Sequence, residues 1–162
     1  MKAAVLTVSD SASAGTRSDL SGPAVKELLQ QNHFVVEKIE IVPDEQKVIE
    51  AALRRLTAST PLVITTGGTG IAVRDVTPEA TRAVCTRLVE GIAERMRSEG
   101  AKKTPLAALS RGVCGICGTS LILNLPGSPK AAVESLQAVI DLLPHALELL
   151  QGKTSHDDHQ PN

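Results

Sequence analysis

Short apolar runs alternate with amphipathic helical patterns along almost the whole chain. The runs at 3–8, 61–65 and 119–125 are each followed by a segment rich in small and polar residues. Runs of this length are typical of strands buried on both faces of a sheet, and residues 34–41 add a β-branched strand. Strand and helix in alternation predict an α/β fold with three layers, α/β/α, around a mostly parallel, Rossmann-like sheet.

Three helical patterns are well marked between the strands. A proline at position 23 suits the first turn of one helix, and Thr77-Pro78-Glu79 opens a further helix with a cap, a proline and an acid. The apolar residues at helical spacing are Val25, Leu28 and Leu29; Ile49, Ala52, Leu53 and Leu56; and Val133, Leu136, Ile140 and Leu143.

The length and charge of the chain limit its organisation and its partners. We expect residues 1–151 to form a single domain and 152–162, which are low in apolar content, to be a disordered tail. A net charge of −1 and a single aromatic residue, Phe34, speak against nucleic-acid binding. No apolar run approaches the roughly 18 residues of a membrane span. The three cysteines form no disulfide framework, which indicates a reducing cytoplasm.

The loop at 66–70 (TGGTG) is the first candidate binding element. Ligands of open α/β sheets bind outside the carboxyl ends of the strands, where this loop is predicted to lie. Its glycines allow the backbone to turn sharply and approach a ligand, and its amides can bind an anion. The loop is neither a P-loop nor a GxGxxG motif. The structural alternative is a tight turn between a strand and a helix.

Two aspartates could contribute charge near this loop. Asp75 follows it closely, and magnesium could bridge its carboxylate to a bound phosphate. A solvated aspartate near a helix start is the alternative. Asp44 sits where a helix N-cap would, so from the residue alone the structural interpretation is the stronger one.

Polar residues in two other loops have the same two interpretations. Asp10 and Asp19, with neighbouring serines, could bind a polar ligand or satisfy turn backbone. Ser128 as an N-cap followed by a proline explains the turn at 126–129 structurally, although the same helix N-terminus would favour an anion.

The motif Cys114-Gly115-Ile116-Cys117 has the CxxC spacing but little support for a chemical role. A structural zinc site would need two more ligands, and no second pair exists in the sequence. A thioredoxin-like motif should open a helix, whereas a predicted strand follows this one.

The chain resembles the molybdopterin adenylyltransferase family, which includes bacterial MogA and the G-domain of gephyrin. The resemblance covers nearly the whole chain outside the tail, and its motifs occur in one order. The matching segments are LTVSDSASAGTRSDLSG at 6–22, VPDE at 42–45, TTGGTGIAVRDVTPEAT at 65–81, LSRGVCGICGTSLILNLPGSPKA at 109–131 and LPHALELL at 143–150.

The resemblance implies a molybdopterin-binding α/β fold, a homotrimer and a magnesium-dependent reaction. In that reaction the terminal phosphate of molybdopterin attacks the α-phosphorus of ATP, giving adenylylated molybdopterin and pyrophosphate. Asp44 and Asp75 match the two essential acids, as catalytic residues and magnesium ligands. The implied substrate contacts are Ser9, Asp10, Thr66, Gly67, Gly68, Thr69, Gly70, Ser110, Pro126, Gly127 and Ser128.

Two departures and two alternatives accompany the resemblance. Cys117 stands where the family often has an arginine, and the segment 70–74 lacks a proline that often precedes Arg74. A non-catalytic molybdopterin-binding scaffold and a nucleotide-pyrophosphate hydrolase are the alternative functions. An adenylyltransferase would hand its product to a molybdate-inserting enzyme.

Overall fold

A computed structural model describes residues 1–153 and contains one six-stranded sheet. Four of its strands, in the order β2-β1-β3-β6, run parallel, while β5 is antiparallel to β6 and β4 is antiparallel to β5. The prediction of a mostly parallel sheet is therefore confirmed. The strands are β1 (Lys2–Val8), β2 (Val35–Val42), β3 (Leu62–Thr66), β4 (Arg87–Leu88), β5 (Cys114–Cys117) and β6 (Ser120–Leu125).

Helices cover both faces of the sheet and complete the predicted three layers. Two 3-10 helices, Pro105–Leu109 and Ile140–Leu142, accompany the α-helices. The α-helices are α1 (Asp10–Ser13), α2 (Ser21–Gln31), α3 (Gln46–Thr57), α4 (Thr77–Val84), α5 (Glu90–Ala101), α6 (Pro129–Gln137) and α7 (Leu143–Leu150).

The period of two along each strand divides the hydrophobic core between the two faces. In β1, Ala3 and Val5 pack under α2, α5, α6 and α7, whereas Ala4 and Leu6 pack under α3 and α4. All four side chains are fully buried. The sheet is thus held from both sides, which fixes the ends of its strands and the loops that leave them.

Two helix starts differ from the sequence prediction. The N-cap of α3 is Glu45 rather than Asp44, and no side-chain bond caps the helix there. The carboxylate of Asp44 instead accepts a hydrogen bond from the backbone of Asp10. Thr77 is likewise the first residue of α4 and not its cap, because its hydroxyl donates to the carbonyl oxygen of Gly67.

The helical pattern from Val133 to Leu143 is not one continuous helix, so that prediction is wrong. Helix α6 ends at Gln137, a 3-10 turn follows, and α7 begins at Leu143. Pro144 explains the break, since it has no N–H to donate and its ring would clash with the carbonyl one turn earlier. The predicted tail lies outside the described residues from position 154 onwards.

Candidate active site

The carboxyl ends of β1, β3 and β6 meet at one edge of the sheet, and their loops enclose two cavities. One cavity has a volume of about 480 Å³ and the other about 460 Å³. Gly68, Asp75 and Gly127 line both cavities. The predicted TGGTG loop therefore lies between the two cavities. Asp75 is the acidic residue on their shared boundary.

Two successive glycines give this loop a shape that other residues could not adopt without strain. Gly67 has φ 89° and Gly68 has φ 65°, both in the left-handed region. A side chain at Gly67 would overlap the carbonyl oxygen of Val8, and one at Gly68 would overlap the hydroxyl of Thr77. The loop backbone therefore lies directly against β1 and the start of α4.

Asp44 reaches the loop from the segment between β2 and α3. A Cβ added to Gly68 would lie 3.1 Å from Oδ1 of Asp44, so this carboxylate borders the loop directly. Partial burial raises the pKa of the Asp44 carboxyl, the Asp10 amide opposes this by donating to it, and the charges of Asp10 and Asp75 raise it further. The charges of two neighbouring carboxylates thus act on Asp44 at this corner of the site.

Asp10 connects Asp44 with the loop that carries Arg74. Its Oδ1 accepts from the backbone N–H of Asp44 at 2.9 Å. Arg74 donates to both carboxylate oxygens of Asp10, from Nη2 at 2.8 Å and from Nε at 2.9 Å. These donors lower the pKa of Asp10. The carboxylate predicted to contact substrate is engaged in bonds within the protein.

Asp75 lies at the end of the exposed segment that follows the glycine loop. Its Oδ2 accepts from the backbone N–H of Ala72 at 2.9 Å, which closes a tight turn. A Cβ added to Gly70 would lie 2.8 Å from the same oxygen. The absence of a side chain at Gly70 therefore leaves room for the carboxylate beside the loop.

Asp19 belongs to a polar network beneath the second cavity. It accepts from the hydroxyl of Thr7 at 2.6 Å and from the amide of Gly22 at 3.0 Å. Ser21, whose hydroxyl lies 2.8 Å from that of Thr66, joins the network. The contacts favour the structural interpretation of Asp19 and bury the Thr66 side chain in this network, and both residues also line the second cavity.

The third loop, after β6, brings a helix N-terminus to the second cavity. Ser128 caps α6 by accepting from the amide of Ala131 at 3.2 Å, as predicted. A Cβ added to Gly127 would lie 3.3 Å from the Cα of Gly67, so the two loops pack backbone to backbone. Ser128 and Pro129 line this compartment, so the N-terminus of α6 borders it, where the helix dipole favours an anion.

The first cavity is lined mostly by residues that sequence patterns did not identify. Ser110, a predicted substrate contact, lies on its wall together with Met96, Arg97 and Leu109. Asn124 is buried and donates to the hydroxyls of Thr65 at 3.0 Å and Thr81 at 2.9 Å. A polar residue inside an otherwise apolar strand was the signal that could have singled out Asn124.

Arg111 was also missed, although it contacts the glycine loop. Its Nε donates to the carbonyl of Gly70 at 2.7 Å and its Nη2 to the carbonyl of Asp75 at 2.6 Å. It also forms an ion pair with Glu79 in the first turn of α4. Arg111 lies in the matching segment 109–131, but its residue type and position there do not indicate contacts with residues about 40 positions earlier.

The cysteines lie away from these loops and do not form a chelating group. Cys114 packs in the core under α5, while Cys117 lies on the opposite face of β5 with Cys85. Burial raises the pKa of Cys114 to about 12 and that of Cys85 to about 11. Within residues 1–153, no group of three or more histidine, cysteine or acidic residues could hold a metal ion by itself.

The sheet and its loop cluster match the family model described as "Probable molybdopterin binding domain" over residues 4–145. The chain belongs to this family. The match spans β1 from its third residue, the other five strands and every loop of the candidate site.

Individual relatives carry more specific names. The molybdopterin adenylyltransferase of Helicobacter pylori J99 is 44% identical over 154 residues, which is 91% of this chain and 86% of that protein. The molybdopterin adenylyltransferase of Escherichia coli K12 is 40% identical over 168 residues, 94% of this chain and 86% of that protein.

Solved structures agree with the fold. The molybdopterin biosynthesis enzyme MoaB of Thermus thermophilus superposes with a TM-score of 0.89 at 52% identity, covering 94% of this chain and 97% of that one. The predicted family and the molybdopterin-binding α/β fold are therefore confirmed. In residues 1–153, no helix combines the length and the apolar character required to traverse a bilayer.

Proposed function

We propose that this protein is a molybdopterin adenylyltransferase that joins molybdopterin to AMP at the expense of ATP. The observation that carries the proposal is the pair of cavities with Asp75 on their shared boundary and Asp44 beside the same loop. Two compartments accommodate two substrates, and their common boundary is where the reacting phosphates would meet. The names of the relatives supply the identity of those substrates.

The reaction is a nucleotidyl transfer. An oxygen of the terminal phosphate of molybdopterin forms a bond to the α-phosphorus of ATP, and the bond from that phosphorus to the bridging oxygen breaks, so that pyrophosphate leaves. Such transfers depend mainly on positioning and on neutralisation of charge, and not on a protein nucleophile. The backbone amides of the glycine loop and the N-terminus of α6 would hold phosphate oxygens at this edge of the sheet.

The two acids fit a magnesium ion. Mg²⁺ is held in nucleotide sites by one or two carboxylates, with phosphate oxygens and water completing its shell. Burial and, to a smaller extent, the charges of Asp10 and Asp75 raise the pKa of Asp44, and Asp44 and Asp75 both line the second cavity. When bound, the ion would neutralise charge on the phosphates.

Several accompanying properties belong to the same proposal. The homotrimer is implied by the resemblance, and a contact surface between subunits is supported by the apolar residues exposed along β2, an edge strand: Val35, Ile39 and Ile41. A cytoplasmic location is supported by the three free thiols. Hand-over of the product to a molybdate-inserting enzyme follows from the chemistry, since the adenylylated compound is an activated intermediate.

The test is formation of adenylylated molybdopterin from molybdopterin, ATP and Mg²⁺ by the purified protein. Asp44→Asn and Asp75→Asn should each lose product by about 100-fold or more while retaining the fold. Asp141→Asn is the matched control, because this exposed acid pairs with Arg95 far from the loops. Binding of molybdopterin without product, in the presence of ATP and Mg²⁺, would contradict the proposal and leave a scaffold.

A further inference from the structure

Arg111 forms hydrogen bonds with both ends of the peptide segment that leads to Asp75. The backbone N–H of Arg111 donates to the carbonyl oxygen of Thr69 at 2.8 Å. Its side chain donates to the carbonyl of Gly70 at 2.7 Å and to that of Asp75 at 2.6 Å. One residue therefore fixes the backbone before and after the four residues 71–74.

This segment has little else to hold its shape. Ile71 is 70% exposed and Val73 is 97% exposed, so neither side chain packs into a core. Outside the contacts of Arg111, the fixed points are the turn that Ala72 closes with Asp75 and the pair between Arg74 and Asp10. A loop with few buried contacts takes its conformation from such polar bonds.

We propose that Arg111 is a positioning residue that sets the carboxylate of Asp75 on the boundary between the two cavities. The inference rests on the proposed function, and it adds a residue that acts through the backbone and not on a substrate. Arg111 lies on the wall of neither cavity. Its guanidinium donates to the backbone carbonyl of Asp75 and not to the carboxylate, one oxygen of which accepts from the amide of Ala72, and Asp75 lines both cavities.

The geometry requires an arginine. A planar guanidinium can donate in several fixed directions at once, here to two carbonyls and to the carboxylate of Glu79, whereas a lysine ammonium is a single point of charge. Glu79 raises the pKa of Arg111 and orients its side chain from the first turn of α4. Helix α4, the loop and the strand that follows Arg111 are thereby joined at one point.

The experiment compares Arg111→Gln and Arg111→Lys with the matched control Arg55→Gln. Arg55 also forms a two-point pair with a carboxylate, that of Glu40, but lies outside the site. We expect Arg111→Gln to lower kcat about 100-fold with KM for ATP changed by no more than about threefold, because the substrates still bind while the carboxylate proposed to hold the metal ion is displaced. Arg111→Lys should restore less than a tenth of the kcat that Arg111→Gln loses relative to the wild type.

A second measurement separates this inference from the proposed function. Amide hydrogen exchange of the segment 68–80 should become faster in Arg111→Gln and stay unchanged in Arg55→Gln, whether or not the protein turns over ATP. Glu79→Gln keeps Arg111 but removes the carboxylate that pairs with it, so the exchange rate of this segment should increase by an intermediate amount. This variant replaces Arg111→Gln in the test if Arg111→Gln does not fold.

The kcat values and the amide exchange rates together decide whether the inference holds. Unchanged exchange in Arg111→Gln, or kcat within about twofold of the Arg55→Gln control, would overturn the inference. Full recovery of kcat by lysine would also overturn it, since charge alone would then suffice. A wild type without product but with faster exchange in Arg111→Gln would remove the proposed function and support the role of Arg111 in fixing the loop.

Discussion

Asp10 and Asp44 hold one another through a reciprocal pair of hydrogen bonds. The amide of Asp10 donates to Oδ2 of Asp44 at 2.8 Å, and the amide of Asp44 donates to Oδ1 of Asp10 at 2.9 Å. The residues are 34 positions apart in the chain, in the loops that follow neighbouring strands β1 and β2. The pair explains how a carboxylate in a short connecting segment keeps one orientation beside the glycine loop.

Replacing Asp10 by alanine should disturb Asp44 without removing it. The variant keeps the backbone amide but loses the acceptor for Asp44 and the partner of Arg74. We expect adenylyl transfer to fall by about tenfold, less than in Asp44→Asn, because the Asp44 carboxylate is present but less well held. Steady-state rates of the two variants measured side by side provide the check. Equal losses would show that Asp10 does more than orient its partner.

Asp44→Asn should make the protein more stable at pH 7 while impairing its activity. Because the folded pKa of Asp44 is raised above the ordinary 3.8, the folded state holds this proton more tightly than the unfolded chain does. Stability is therefore lost as the pH rises through the raised pKa, and at neutral pH the ionised carboxylate opposes folding. Thermal melts at pH 7 and pH 4 test this, and the gain in Tm should shrink at the lower pH. A Tm below that of the wild type at pH 7 would contradict it.

The pH dependence of activity should have an acidic limb governed by the same carboxyl. Cation binding needs ionised Asp44, so transfer should decline as the pH falls through a pKa above 3.8. Asp10→Asn removes a neighbouring negative charge that contributes to the rise, and it should move the limb to lower pH. Profiles of kcat/KM for ATP in the two proteins give the comparison. A limb at the same pH in both would exclude Asp10 as a contributor.

Gly68→Ala should be far more damaging than Gly118→Ala. Both glycines are left-handed, with φ 65° and 60°, so alanine costs about 1 to 2 kcal/mol of backbone strain at either position. At Gly118 a Cβ meets nothing within 4 Å, whereas at Gly68 it overlaps the hydroxyl of Thr77 and approaches Asp44. Chemical denaturation and activity assays of both variants separate strain from overlap. Similar losses of stability and activity in the two variants would mean that Thr77 and Asp44 do not occupy the space beside Gly68.

Asn124→Ala should destabilise the sheet beneath the first cavity. The hydroxyls of Thr65 and Thr81 and the amide of Val113 would lose a partner in a buried position. Unpaired buried groups cost about 1 to 3 kcal/mol each before rearrangement, so we expect a loss on the order of 3 kcal/mol. Asn32→Ala at the exposed end of α2 is the control, with a loss of less than about 1 kcal/mol. Urea unfolding of both variants makes the measurement.

Much of the fold could be predicted from sequence because burial on both faces leaves a plain signal. The runs that became β1, β3 and β6 are apolar throughout most of their length, and Ile49, Ala52, Leu53 and Leu56 are all buried on α3 as their spacing predicts. Strands β4 and β5 gave no such signal, since they have two and four residues and depend on pairing with neighbours. The break between α6 and α7 is a local effect of Pro144 that apolar spacing alone does not reveal.

The candidate site, like the fold, could be predicted from the sequence only in part. The sequence determined its ingredients: a glycine loop after a buried strand, two acids in matching motifs, and a serine cap before the last long helix. Only the tertiary structure decided that Asp44 faces Asp10 and not its own helix, that one loop separates two cavities, and that Arg111 holds both ends of the segment before Asp75. Local patterns fix backbone conformation over a few residues, whereas these contacts join residues up to 41 positions apart and exist only once the strand ends are brought together.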